Sequence, residues 1–306
     1  MSAEASTTTA VAGAAAAARP RPRRRRRHVL AQTFLVVAAV VWIAPVLWAV
    51  YLSLRPLAET NKYGYVSWPR SLTLQNFKDA WVQGSIPHYF WNSLAITVPA
   101  VVLTLLLASV MAFVVSRLRV RFGLPLLLVF TAGNLLPQQV FLAPLFKIYN
   151  AIAVPAWMSD SLKLYDSLIG LIVINVAFQL GFCVFVLSNF MKTIPQSITE
   201  AAVMDGASAW TQYWRITLPL CRPALAAMAT LLTTWIYNDF FWALALVSTG
   251  TKYPITTALN DLKGTYAVDN NLLAAGSLII AAPTLVVYLV LQRHFIAGLT
   301  LGSTKE

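Results

Sequence analysis

Side chains able to do chemistry are few inside the long apolar runs of this chain. Asp239 is the only acidic residue well within such a run, and an ionisable group in hydrocarbon is expensive enough to be read as functional. On a helix, Trp235, Asn238, Asp239 and Trp242 are three or four positions apart and share a face. A carboxylate and an amide hydrogen-bond hydroxyls, while indole rings cover apolar C–H surfaces, so this face suits a sugar. One run earlier, Asn175 and Gln179 form a similar i, i+4 polar pair, and Asn134, Gln138 and Gln139 are polar in the run before that. Polar residues in membrane helices also serve as glue between helices. Both readings stand for these positions.

Catalytic chemistry finds no support. There is no G-x-x-x-x-G-K-[ST] phosphate loop, so the chain is not expected to hydrolyse ATP by itself, and neither H-E-x-x-H nor paired intramembrane aspartates occur. His28, His88 and His294 fall near the ends of apolar runs and read as interfacial or cytoplasmic polar residues. Cys183 and Cys221 stand apart without neighbouring histidines, which argues for packing rather than a disulfide or a metal site. No cofactor or metal is expected on this chain.

The second candidate is a polar island between two apolar runs, Glu200-Ala-Ala-Val-Met-Asp-Gly206, followed after nine residues by Ile216-Thr-Leu218-Pro219. Ile198 to Asp205 is rich in helix formers, Glu200 is placed near the helix start, and Gly206 can take the left-handed conformation that ends a helix. Ala201 and Ala202 then offer a small surface that a partner can approach closely. The island has the character of a docking handle; the bland reading is an ordinary capped surface helix.

These groups must be positioned by membrane helices. The chain is 58% hydrophobic and only 11% charged, with a mean hydropathy of +0.66, far from the roughly one-quarter charged residues of soluble domains. A bilayer core of about 30 Å needs roughly 20 apolar helical residues, and six runs qualify: Val29 to Leu52, Asn92 to Val115, Leu124 to Phe146, Ser167 to Met191, Pro223 to Val247 and Leu272 to Gln292. They do not alternate as barrel strands would. Fifteen of the 23 Lys and Arg residues fall at the N-terminus, the C-terminus and in the loops after the second and fourth runs, which places both termini in the cytoplasm. Segments 55–91, 149–166 and 248–271 then face outward, and the Glu200 loop faces the cytoplasm. Residues 1–28 carry too little apolar surface to order a fold and read as a disordered basic tail. Its Arg23–Arg27 cluster fits a topology determinant that touches anionic lipid, a nucleic-acid patch, or a twin-arginine export signal. The first apolar run is too long for a cleavable signal peptide and reads as a retained span.

The spacing EAA, three residues, Gly, nine residues, I-x-L-P resembles the signature loop of the membrane subunits of ABC importers that take substrate from a binding protein. The ending Gly298-Leu-Thr300-Leu-Gly302-Ser-Thr-Lys305 resembles the G-L-T-x-G-x-x-K ending of carbohydrate-uptake permeases similar to the second membrane subunit of the maltose transporter. Further partial matches are Ser71 to Phe77, Asn92 to Leu94 and Trp235 to Asp239 with Phe241, so the likeness runs from about residue 30 to 306; Glu306 departs from the usual glycine. The resemblance implies an all-α membrane protein with the type I ABC importer permease fold: a first helix and external loop over 29–91, and a permease core over 92–306 whose coupling loop spans 192–222. It implies that Glu200, Ala201, Ala202, Asp205, Gly206, Ile216, Leu218 and Pro219 couple to an ATPase subunit. It further implies a homologous second permease, two ATPase subunits that hydrolyse the ATP, an external solute-binding protein and residence in the cell membrane, with no nucleic-acid partner. The substrate class implied is a sugar; glycerol phosphate or a polyamine in the same transporter class, or a secondary transporter or channel, are the alternatives.

Overall fold

The computed structural model describes residues 23–118, 123–259, 262 and 269–300. Most of the N-terminal tail, Arg119 and Arg121, Lys263 and the last residues of the C-terminal motif lie outside the described residues. Helix α1 (Arg23–Ser53) carries its helical backbone back through the arginine cluster that the sequence suggested was without order. Up to Trp48 this helix forms a unit of its own, and only 6% of its most apolar stretch is buried.

From Ala49 onward the chain forms the second unit. Short helices α2 (Leu57–Tyr63) and α3 (Gln75–Gln83) precede the long α4 (Ile86–Arg117). Helix α5 (Gly123–Leu135) is followed by a 3-10 turn, Gln138–Phe141, and α6 (Leu142–Ala151). Helix α7 (Leu168–Thr193) leads into α8 (Gln196–Met204), α9 (Ala209–Thr211), a π-helical turn over Gln212–Thr217 and α10 (Leu218–Leu220). The chain continues through α11 (Arg222–Tyr237), α12 (Phe241–Leu246), α13 (Ile255–Ala258) and α14 (Asn270–Thr300).

Among the described residues, four helices are long and apolar enough to cross a membrane unaided, and the number is up to six if each of two bent pairs counts as one span. One bend and one separate break correct two expected spans. Leu124 to Phe146 is not one helix: Pro137 is extended (φ −60°, ψ 133°) and the following helix turns by 94°, since a proline both lacks an amide donor and pushes its predecessor out of the α region. Pro223 to Val247 is also interrupted, because α11 stops at Tyr237 and α12 begins only at Phe241.

The core forms where α4 lies along α7. Thr97, Ala100, Val101, Thr104, Ala108, Ala112 and Phe113 are buried at three- and four-residue spacing, which makes one stripe along the helix. Its alanines and threonines let backbones approach closely, as helix contacts in membranes require. Cys183, Val184, Leu187 and Met191 face this stripe from α7 and belong to the same buried cluster. Cys183 and Cys221 are both fully buried free thiols, as packing residues should be.

Hydrogen bonds sort the loops into two ends. Asn92, at the start of α4, donates to the carbonyls of Thr251 and Tyr253, and Asn271, near the start of α14, donates to that of Arg55. The Asp166 carboxylate accepts from the amides of Ser248 and Thr249. The three segments read from sequence as sharing a side therefore meet at one end. At the other end, Arg117 closes α4 against the carbonyls of Met191 and Ile194, at the exit of α7.

Candidate functional site

The polar island folds as a rigidly finished helix. Pro195 (φ −54°, ψ 134°) is extended and α8 starts at Gln196, two residues earlier than the sequence suggested. Glu200 is consequently the fifth helical residue and not a first-turn acid. The helix-dipole argument for it falls away, because that effect fades beyond the first turn. At the other end the expectation holds. Gly206 takes φ +77°, its amide donates to the Val203 carbonyl at 3.0 Å, and the Ala207 amide donates to that of Ala202 at 2.9 Å. These two bonds make a Schellman cap, which requires the left-handed residue that glycine supplies.

Glu200, Ala201, Asp205 and Gly206 are exposed, whereas Ala202 is buried at 7%. Ala201 and Ala202 thus do not present one surface: the first faces outward and the second anchors the helix to the protein. Beside Ala201, Val203 and Met204 are 57% and 87% exposed. After the cap, Ser208 accepts the Thr211 amide to start α9, and the Gln212 side chain donates to the Ala207 carbonyl at 2.8 Å. Ile216, Leu218 and Pro219 are half-buried in the π-helical turn and α10. Tyr213, buried there, shares a 2.7 Å hydrogen bond with Ser109 on α4. The two halves of the motif are therefore tied to one another and to a membrane helix.

The second site is reorganised by the break in the fifth span. Trp235, Asn238, Asp239 and Trp242 do not share a helical face, because the backbone leaves the helix between the first pair and the last residue. Trp235 is exposed with its ring 5.3 Å from that of Phe182, and exposed Asn238 bonds back to the Thr234 carbonyl. Trp242 is 2% exposed and packs its ring on Phe178 and Phe241, so it is a core residue.

Asp239, half-buried at the break, accepts the Trp242 amide on Oδ1 at 3.3 Å and so caps α12. Its own carbonyl accepts from the Thr256 hydroxyl at 2.7 Å. Buried Asn175 places its amide beside the Asp239 carboxylate and also donates to the Leu171 carbonyl. Gln179 is half-buried one turn further along α7. Of the residues read from sequence, Asn175 and Asp239 are thus brought together.

Sequence reasoning missed Ser93 and Thr97 of α4, which line a cavity of about 10 Å³ with Asp239; a hydroxyl pair at i, i+4 on an apolar helix was the available signal. That cavity is far smaller than a sugar ring. Phe178 and Phe182 were also passed over, although they alternate along α7 with Asn175 and Gln179 at helical spacing.

The sequence pattern of the inner membrane components of binding-protein-dependent transport systems matches residues 100–300. The chain is similar to the diacetylchitobiose uptake system permease protein NgcG of Streptomyces coelicolor, with 29% identity over 90% of this chain and 88% of the relative. The trehalose transport system permease protein SugB of Mycobacterium tuberculosis is 30% identical over 85% of this chain and 92% of its own length. A solved bacterial ABC transporter involved in importing the acidic polysaccharide alginate contains a chain of the same fold, with a TM-score of 0.75 at 19% identity over 90% of this chain and 99% of that one. With its apolar helices in the membrane and its loop motif intact, this chain belongs to the family of binding-protein-dependent transport system inner membrane components.

Proposed function

We propose that the chain is one of two permease subunits of an ATP-driven importer of sugar, and that α8 is the element that docks on the ATPase. The carrying observation is that α8 ends in a Schellman cap yet leaves Glu200, Ala201, Val203 and Met204 exposed. A helix so firmly finished, with its apolar tip uncovered, is built to be covered by something else. ATP hydrolysis belongs to the partner, since no phosphate loop is present. Relatives named for diacetylchitobiose and trehalose uptake support a carbohydrate substrate. The family to which the chain belongs supports an external binding protein, and half a pathway calls for a second permease. The excess of basic residues around α8 and both termini supports a cytoplasmic position for them.

Asp239 contributes to the path in this reading only when the helices around its small cavity separate. Alternating access supplies such an opening, with Asn175 moving beside it and Trp235 and Asn238 on the exposed side of α11.

The test is Gly206→Val together with Glu200→Lys. A Cβ at Gly206 would meet no atom within 4 Å, so valine acts purely through the backbone, at about 1–2 kcal/mol for the left-handed conformation. Sugar uptake and ATPase co-purification should fall well below parental while membrane yield stays near it. Parental uptake in both variants would reduce α8 to a surface helix.

A further inference from the structure

The segment between Ala209 and Leu220 turns 71° away from α11. With α11 standing across the bilayer, this segment runs close to the plane of the membrane surface. Trp210, Trp214 and Leu220 on it are exposed, and tryptophan concentrates at the level of the lipid headgroups.

Against this segment lies a groove of about 450 Å³ whose walls include Leu105 and Leu106 of α4, Leu218, Leu225, Trp214 and Arg222. Ser109, also in the wall, is already satisfied by Tyr213. The trough is therefore apolar with a single cation. Arg222 is the first residue of α11, is exposed, and makes no ion pair among the described residues. A long arginine side chain at a span end reaches toward the headgroups while its stem covers apolar surface.

A second groove, between α4, α11 and α14, is larger, about 710 Å³, and includes Trp81, Phe90, Val98, Ile279 and Val287. Among the described residues it contains no basic side chain, so it offers hydrocarbon contact without a choice of headgroup. The difference between the two is the guanidinium.

We propose that the groove beneath Trp214 and Arg222 binds an anionic glycerophospholipid. The phosphate sits on the Arg222 guanidinium, and the acyl chains run along Leu105, Leu106 and Leu225. Because Leu218 and Pro219 form the same wall, the bound lipid also fixes the second half of the loop motif, a consequence that rests on the docking role proposed for that loop. The lipid site itself does not.

The experiment is native mass spectrometry of the complete purified complex titrated with phosphatidylglycerol or phosphatidylcholine, in the parent and in Arg222→Gln, Arg222→Lys and Leu225→Trp. Phosphatidylglycerol should be retained preferentially by the parent and about fivefold less by Arg222→Gln, the contribution of one basic residue near anionic lipid. Arg222→Lys should keep most of the preference, and Leu225→Trp should lose it by filling the trough. Equal retention of the two lipids by the parent, or an unchanged preference in Arg222→Gln, overturns the site. Displacement of the lipid by free inorganic phosphate assigns the guanidinium to a soluble anion and overturns the lipid as well. ATPase rates in nanodiscs of either lipid form a separate arm. Retention without a rate difference leaves the lipid site standing and overturns only the consequence that the lipid fixes the second half of the loop motif.

Discussion

The two ends of the helix bundle are held together by different means. At the end where α4, α7 and α14 begin, charged groups are buried and held by many hydrogen bonds. Arg55, with no exposed surface, donates to Tyr51, Ser67, Glu59 and the carbonyls of Gly64 and Tyr65, while its own carbonyl accepts from Asn76 and Asn271. The Arg70 amide, with the Ser71 hydroxyl and amide and the Arg55 charge, holds the Glu59 carboxyl below the usual range against the effect of burial. At the α8 end the described residues show one arginine anchor, Arg117 on two carbonyls, and an exposed helix. The difference separates a scaffold from a surface: the first end fixes loops in place, and the second leaves a firm helix free to be gripped.

The largest expected effect breaks the first end. Arg55→Ala leaves several acceptors without their donor and deprives the Glu59 carboxylate of its cation, leaving it only the Arg70 and Ser71 donors, and breaking such a pair costs on the order of 3 kcal/mol or more. Yield and thermal stability in detergent should collapse. Arg117→Ala removes two donors from a partly exposed site and should cost about 1–2 kcal/mol. Equal losses in the two variants would erase the contrast between the ends.

How far the sequence disclosed this depends on the range of the interaction involved. The cap at Gly206 is written in neighbouring residues, so its position and left-handed backbone follow from the motif alone. Span positions likewise follow from hydropathy, which averages over many residues. The Arg55 and Asp166 nodes join residues up to 216 positions apart, Asn271 on the Arg55 carbonyl being the extreme, and no local pattern announces them. The break at Asn238 was hidden for a related reason. Its residues are compatible with a helix, and the Trp242 amide and Asp239 carbonyl there are satisfied by the Asp239 side chain and the Thr256 hydroxyl while the Trp242 ring packs on Phe178, contacts that only the folded chain supplies.

A smaller effect tests the same end through its other clasp. Asp166 adopts φ +57° and accepts from Ser248, from both the amide and the hydroxyl of Thr249, and from Lys252. Burial opposes its charge, but the Thr249 hydroxyl and amide, the Ser248 amide and Lys252 together outweigh it and hold the carboxyl below its ordinary range. A folded value below the unfolded one means that the stabilisation is fully present above the ordinary carboxylate pKa of about 4 and is lost as pH falls through the folded value. Asp166→Asn should therefore cost about 1–2 kcal/mol at neutral pH, and the gap from the parent should close only in strong acid. A gap that already closes near neutral pH would show that the carboxylate charge is not what holds the two loops.

The smallest effect belongs to the region between the two ends. Asp239 caps α12 through the Trp242 amide and faces the Asn175 side chain, and an asparagine can perform the same cap with its side-chain oxygen. Asp239→Asn should therefore assemble normally and lose little uptake. Asp239→Ala removes the acceptor and should cost about 1 kcal/mol from the cap alone. Which property falls in the alanine variant separates the two roles of this residue. A polar group exposed to sugar only when the bundle opens would leave the yield of intact, ATP-hydrolysing complex unchanged and depress uptake. A group that serves purely as a brace for the broken span would depress the yield, and uptake per complex would stay parental. Normal uptake at normal yield in Asp239→Ala would remove Asp239 from the path and from the bracing of α12 alike, leaving the fully buried Trp242 to hold the break by packing.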